Sequence, residues 1–127
     1  MANIFVVDDE PTILELIKMT LEMDGHTVET ACDGAEALDK LGVKRTVIDP
    51  LRPDLIILDI MMPRVDGYAA LIELGKSPKT SAIPVIVLTA KSQMRDTVAF
   101  ERNVAGFVTK PFDSNALLDK IRKILAS

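Results

Sequence analysis

Short apolar runs recur along the chain, each closed by a polar or turn-forming residue. Ile4-Phe5-Val6-Val7 stops at Asp8-Asp9, and Leu55-Ile56-Ile57-Leu58 stops at Asp59. Ile83–Thr89 and Gly106–Thr109 read the same way, and His26–Ala31 alternates. Runs this short are strands, and uninterrupted apolar ones are buried on both faces, as in parallel sheets. Between them the spacing turns helical. From Pro11, suited to a first helical turn, Ile13, Leu16, Ile17, Thr20 and Leu21 form an inward stripe that Asp24-Gly25 stops. Leu14 lies on the shoulder of that stripe, where it either packs or meets a partner. Met19 and Met23 lie off it. Asp33-Gly34-Ala35-Glu36 has the form of a capping box opening a helix with Ala37, Leu38 and Leu41 inward. Further helices are predicted around Tyr68–Leu74, over about Ser92–Arg102 with a weak stripe of Met94 and Val98, and from Asp113 or Ser114. The last carries Leu117, Leu118, Ile121, Ile124 and Leu125 on one face. Five strand–helix units predict an α/β doubly wound sheet, since a closed barrel needs about eight. Gly42–Pro53 fits no element: it either lengthens the second helix or forms a surface loop.

In such a sheet, ligands bind beyond the carboxyl ends of the strands, where the strand order reverses. Asp8, Asp9 and Asp59 all stand at strand ends, so they point to one electronegative pocket. Clustered carboxylates need a proton or a cation to relieve their repulsion. Oxygen donors with few His or Cys neighbours favour a hard cation, Mg²⁺, for which Mn²⁺ can substitute.

Composition narrows the class. The chain has 127 residues, which suits one domain spanning 1–127; it is 48% hydrophobic and 27% charged, which excludes disorder. Fifteen basic against 19 acidic residues leave a net charge of -4, with no general attraction to nucleic acid. One cysteine, Cys32, allows no internal disulfide and fits a reducing compartment. Neither a signal peptide nor a membrane-spanning run is evident, so a cytoplasmic location is the expectation. Cys32 reads as an inert small residue, and His26 as a solvent-facing turn residue.

Two more strand ends complete the pattern: Val87-Leu88-Thr89-Ala90 and Val108-Thr109-Lys110-Pro111-Phe112. Asp59 is followed by Ile60-Met61-Met62-Pro63 and Asp66-Gly67. Each motif alone has an ordinary explanation: a helix-dipole acid, a solvated lysine, a β-branched strand residue. The ordered set of Asp-Asp, Asp, Thr and Lys-Pro, over essentially the whole chain, closely resembles the receiver domain of two-component response regulators. The resemblance implies a flavodoxin-like (βα)5 fold with strand order 2-1-3-4-5. It implies that Asp59 accepts a phosphoryl group from a histidine kinase phosphohistidine, a phosphotransfer protein or a small phosphodonor. Asp8, Asp9, Asp59 and the Met61 backbone carbonyl would place Mg²⁺. Thr89 and Lys110 would hold phosphoryl oxygens, Thr89 and Phe107 would form the switch, and Lys110-Pro111 would carry a cis peptide bond. The surface of the 92–102 segment, the last strand and the last helix would meet an output protein or a second copy.

Departures from the family pattern tune the expectation. Met61 and Lys91 flank the path of an attacking water, and neither suits orienting it for hydrolysis. Asn103 stands where the family often has glycine, and asparagine tolerates left-handed backbone. Ala105-Gly106 replaces the acidic residues usual before the switch aromatic in receivers of winged-helix transcription factors. Either a self-standing regulator or the receiver of a larger DNA-binding or enzymatic one is compatible with this. Rival classes fit less well. An aspartyl-phosphate hydrolase of the haloacid dehalogenase type wants Asp-x-Asp, where this chain has Asp59-Ile60-Met61. A flavodoxin's phosphate loop would be repelled by Asp8-Asp9-Glu10-Pro11. A phosphorylation-independent adaptor has no need of the full residue set.

Overall fold

A computed structural model describes residues 2–43, 47–60, 67–89, 103–110 and 112–126. Five parallel strands, β1 (Asn3–Val7), β2 (Thr27–Ala31), β3 (Leu55–Asp59), β4 (Val85–Thr89) and β5 (Val104–Thr109), form one sheet in the order β2-β1-β3-β4-β5. The described helices are α1 (Pro11–Met23), α2 (Gly34–Leu41), α3 (Gly67–Lys76) and α4 (Ser114–Ala126). The helix expected over about Ser92–Arg102 lies outside the described residues.

Strand alternation splits the core into two layers. Phe5, Val7, Ile56, Leu58, Val85 and Val87 pack against Leu38 and Leu41 of α2 and Leu71 and Leu74 of α3. Ile4, Val6, Leu55, Ile57, Ile86 and Leu88 pack against Ile17 and Leu21 of α1 and Leu117 and Ile121 of α4. Every residue of β3 and β4 is buried, as helices on both faces require. β1 pairs with β2 on one side and β3 on the other, so the order reverses there. The crevice lies above the ends of β1 and β3, where Asp8, Asp9 and Asp59 stand.

Several boundaries and faces differ from the sequence reading. Leu16, expected in the inward stripe, is 46% exposed, while Met19 and Met23 face outward as expected. The buried face of α1 centres on Ile17 and Leu21, four apart, with Ile13 and Leu14 packed beside them. That turns Leu16 outward, and it places Leu14 against the core. β5 begins two residues earlier than expected, because Asn103 O accepts the Val85 N–H at 2.9 Å and already aligns the chain with β4. Asn103 is therefore not left-handed; among the described residues the non-glycine with positive φ is Asp49 (φ 54).

α2 ends at Leu41 because Gly42 turns left-handed (φ 71), and the Gly42 and Val43 N–H groups donate back to Asp39 O and Leu38 O. The described part of the following segment is a loop tied to its surroundings. Leu51 N–H donates to Lys40 O at 2.9 Å, and Arg52 donates to Leu41 O at 3.2 Å.

The capping box at α2 forms with one substitution of partner. Asp33 Oδ1 accepts the Glu36 N–H at 2.7 Å, but Glu36 Oε1 accepts the N–H of Cys32, at 2.9 Å, rather than that of Asp33. The Cys32 thiol also donates to Glu36 Oε1 at 3.0 Å, and this bond raises the thiol pKa, keeping the sulfur protonated. The Cys32 N–H, then the thiol and Lys40, pull the Glu36 carboxyl down to about 2, from an ordinary 4.5. A depressed folded-state pKa gives stability that is present above the unfolded value and lost as pH falls through the folded one. Glu36→Gln should therefore flatten the loss of stability between pH 4.5 and about 2. At neutral pH it should cost only about 0.5–1 kcal/mol, because the side chain is partly solvated. Urea titrations at a series of pH values check this; parallel profiles for the two proteins would refute it.

Candidate phosphoacceptor and metal site

The site is built from the ends of β1, β3, β4 and β5. Asp8 follows Val7 and is fully buried; its Oδ1 accepts the Glu10 N–H at 2.9 Å, which closes the turn into α1. Asp59 ends β3 and is 2% exposed. Asp8 and Asp59 continue the parity of Ile4, Val6, Leu55 and Ile57, so both rise on the side that α1 and α4 cover. Gly67, the first residue of α3, packs directly onto the Asp59–Ile60 backbone, leaving no room for a side chain.

Lys110 joins these acids. Thr89 O accepts the Lys110 N–H at 2.8 Å, fixing the residue just beyond β5. Lys110 Nζ lies 2.9 Å from Asp8 Oδ2, and it donates to Asp59 Oδ2 at 3.0 Å and to Glu10 Oε1 at 3.2 Å. Burial raises the Asp8 pKa and the Asp59 charge adds to it, against the Glu10 N–H and Lys110. Burial would by itself lower the Lys110 pKa, but hydrogen bonds and charge from Asp8 and Asp59 outweigh it, so the ammonium is held well above its usual range.

Oxygens of Asp8, Asp9, Glu10 and Asp59 all lie within 4.8 Å of one another. Among the described residues these four carboxylates stand with one ammonium, that of Lys110, so this cluster carries excess negative charge. An all-oxygen donor set of this density fits a hard dication that keeps some of its water, as Mg²⁺ does. Among the described residues the chain therefore fits the metal that its strand ends suggest. Glu10 is the member that sequence reading left out. Its position beside Asp8-Asp9 was legible, but its reach to a lysine 100 positions onward was not.

Thr89 ends β4, is fully buried, and pairs in register with Thr109. Its parity is that of Val85 and Val87, on the face opposite Asp8 and Asp59. Phe107 pairs with Val87 one step down β5 and packs, half-buried, against that same layer. Thr89 and Phe107 are thus diagonal neighbours on one face of the sheet. Met61, Lys91 and Pro111 lie outside the described residues, as does the Met61 carbonyl.

His26 departs from its expected solvent-facing placement. Its side chain is 9% exposed; Nδ1 accepts the Ala2 N–H at 3.3 Å, and Nε2 stands 3.4 Å from Asp24 Oδ2. Arg122 of α4 donates to the other Asp24 oxygen at 2.7 Å. These bonds tie the start of β1 to α4 at the end of the sheet away from the acidic cluster.

Comparison with known proteins agrees with this geometry. Residues 4–122 match the sequence family described as the response regulator receiver domain. The chain is 38% identical over 126 residues to the DNA-binding dual master transcriptional regulator RpaA of Synechocystis, covering 98% of this chain and 49% of that protein. It thus spans about half the length of that relative. It is also 38% identical to protein PilH of Pseudomonas aeruginosa, over 99% of both. Among solved structures, it resembles the receiver domain of sensor histidine kinase PA1611 from Pseudomonas aeruginosa, which has a magnesium ion coordinated in its active-site cleft. The TM-score is 0.85 at 25% identity, covering 99% of this chain and 98% of that one.

Proposed function

This chain belongs to the response regulator receiver domain family, and from that premise we propose that Asp59 is its phosphoacceptor. The observation that carries the assignment is the Lys110 ammonium, within 3.0 Å of both Asp8 Oδ2 and Asp59 Oδ2 at the crevice where the strand order reverses. Receiver domains work with histidine kinases. Here an Asp59 carboxylate oxygen attacks the phosphorus of a phosphohistidine or acetyl phosphate. The bond from phosphorus to the donor's nitrogen or oxygen breaks, and its electron pair leaves with the donor.

The residues around Asp59 mainly position and neutralise, which is what phosphoryl transfer asks of a protein. Lys110 donates to a phosphoryl oxygen, and Thr89 offers a neutral, rotatable hydroxyl to another. Asp8, Asp9, Asp59 and the Met61 carbonyl would hold Mg²⁺, which supplies charge to offset the developing negative oxygens. Mn²⁺ satisfies the same donor set. When the Thr89 hydroxyl moves to the phosphoryl group, Phe107, its diagonal neighbour, turns into the space released. The preference between two existing states shifts, and the surface of segment 92–102, β5 and α4 changes for an output protein or a second copy. The chain promotes its own modification and its reversal, and has no other substrate. The half-length match to RpaA supports the receiver of a larger regulator, and the full-length match to PilH supports a self-standing one. In either case the output does not lie in nucleic-acid binding by this domain.

Incubation with acetyl phosphate and Mg²⁺, followed by intact mass, tests the reading. A stable adduct of one phosphoryl group is expected; steady phosphate release without an adduct would indicate a hydrolase instead. Asp9→Asn removes a ligand charge and should weaken Mg²⁺ binding about tenfold or more, as loss of a metal-site partner commonly does. An unchanged Mg²⁺ titration would remove Asp9 from the ligand set. Hydrolysis of the aspartyl phosphate needs a water held in line by a group that accepts its proton. Met61 offers a thioether and Lys91 an ammonium, so self-dephosphorylation should be slow. Met61→Asn combined with Lys91→Glu should accelerate phosphate loss; a double variant no faster than the wild type would exclude that role.

A further inference from the structure

We infer that Glu10 is a positioning residue of this site, one that holds the Lys110 ammonium between phosphorylation events and yields it to the arriving phosphoryl group. The inference rests on the assignment of Asp59 as phosphoacceptor and adds to it a residue that the assignment above does not use. A lysine ammonium has three donors. Three carboxylate oxygens surround this one: Asp8 Oδ2 at 2.9 Å, Asp59 Oδ2 at 3.0 Å and Glu10 Oε1 at 3.2 Å. Two donors go to Asp59 and Glu10 as hydrogen bonds, and Asp8 Oδ2 is a close ion-pair contact, so an arriving phosphoryl oxygen must compete with carboxylates for the ammonium.

Burial decides which carboxylate yields. The Asp8 side chain is 0% exposed and is pinned through Oδ1 to the Glu10 N–H. The Asp59 side chain is 3% exposed and is itself the group being modified. The Glu10 side chain is 60% exposed, so its carboxylate can swing into water at little cost. Its contact is also the longest of the three.

A second observation points the same way. Glu10 occupies the N-cap position of α1 but makes no side-chain cap bond. Helix N-termini attract carboxylates, and Glu10 could remain there. Its carboxylate instead reaches across to Lys110, at the end of β5. Until it leaves, it occupies a donor that a phosphoryl oxygen can use and adds one more negative charge in the path of a dianion. Glu10 thereby slows phosphorylation by donors too small to displace it through contacts of their own.

The test follows adduct formation by intact mass, with acetyl phosphate and saturating Mg²⁺, in wild type, Glu10→Gln and Glu10→Asp. Saturating metal removes any effect of the charge change on Mg²⁺ affinity, which a separate titration measures. Glu10→Gln should raise the second-order rate constant about two- to fivefold, the size of one partly exposed ion-pair contact. The gap should narrow as salt is added. Glu10→Asp keeps the charge but falls one methylene short of Lys110, so it too should be faster than wild type, by less. A Glu10→Gln rate equal to or below wild type would overturn the inference and leave the Asp59 assignment intact. So would a Glu10→Asp rate equal to wild type, since the effect would then come from charge alone. A wild-type chain that forms no adduct, or forms it on another residue, would overturn the Asp59 assignment itself and this inference with it.

Discussion

Replacing Asp59 by asparagine should abolish phosphorylation by acetyl phosphate under conditions that modify the wild type fully. The amide is nearly isosteric and can still accept a hydrogen bond from Lys110, but it is no anionic nucleophile. The fold should survive the change. Asp59 is one of two buried carboxylates on a single ammonium, and its charge contributes to the raised pKa of Asp8. Removing it leaves Asp8 as the buried carboxylate on Lys110, with the exposed Glu10 beside it, so the urea midpoint should not fall below that of the wild type. This separates loss of the nucleophile from loss of structure. A wild-type adduct mapped by peptide mass to any other residue would defeat the assignment.

Gly67→Ala should be the most destabilising single-methyl change in the described part of the chain. A Cβ at residue 67 would overlap the Asp59 carbonyl oxygen and the Ile60 Cα, and would stand 2.7 Å from the Asp59 carbonyl carbon. Those atoms are backbone at the end of a central strand whose residues are all buried. They cannot rotate away as a flexible side chain could, so either α3 lifts off or β3 shifts. Overpacking of this kind costs about 3 kcal/mol or more when the obstacle is backbone. Because the displaced peptide is that of Asp59, phosphorylation of the surviving folded fraction should slow as well. A urea midpoint within about 0.5 kcal/mol of wild type, the range of an ordinary surface change, would show that the contact is tolerated.

The contrast between Gly67 and Glu10 shows how differently the parts of this site are written in the chain. The sequence shows Pro63 and Gly67 between β3 and the helix around Tyr68–Leu74, as a connecting loop would have them. That the glycine is required by the Asp59 carbonyl, rather than by its own backbone angles, follows only from how α3 lands on the strand. Glu10 stands beside Asp8-Asp9 in the sequence, but nothing local ties it to Lys110. Leu16 and His26 were misplaced for related reasons. Helical spacing allowed Leu16 a place in the inward stripe, but the docking angle of α1 centred that face on Ile17. His26 is covered because Thr27 N–H donates to Ala2 O at 2.9 Å, bringing the start of β1 alongside β2.

By itself the sequence determined the five strands, the four described helices near Pro11, Gly34, Tyr68 and Ser114, and the presence of the acids, threonine and lysine at strand ends. It could do so because burial on both faces forces continuous apolar runs, and helix caps and glycines act within a few residues. The structure decided which of those residues meet. Parallel pairing in the order β2-β1-β3-β4-β5 sets Asp8 beside Asp59 and carries Lys110 across to both. It also sets Thr89 and Phe107 together on the opposite face, and selects Glu10 as the exposed third acid on the lysine. Lys110 stands 51 positions from Asp59 and 100 from Glu10 in the chain. No local periodicity encodes such contacts, because they follow from which strands pair, in what register, and how closely each helix packs onto the sheet.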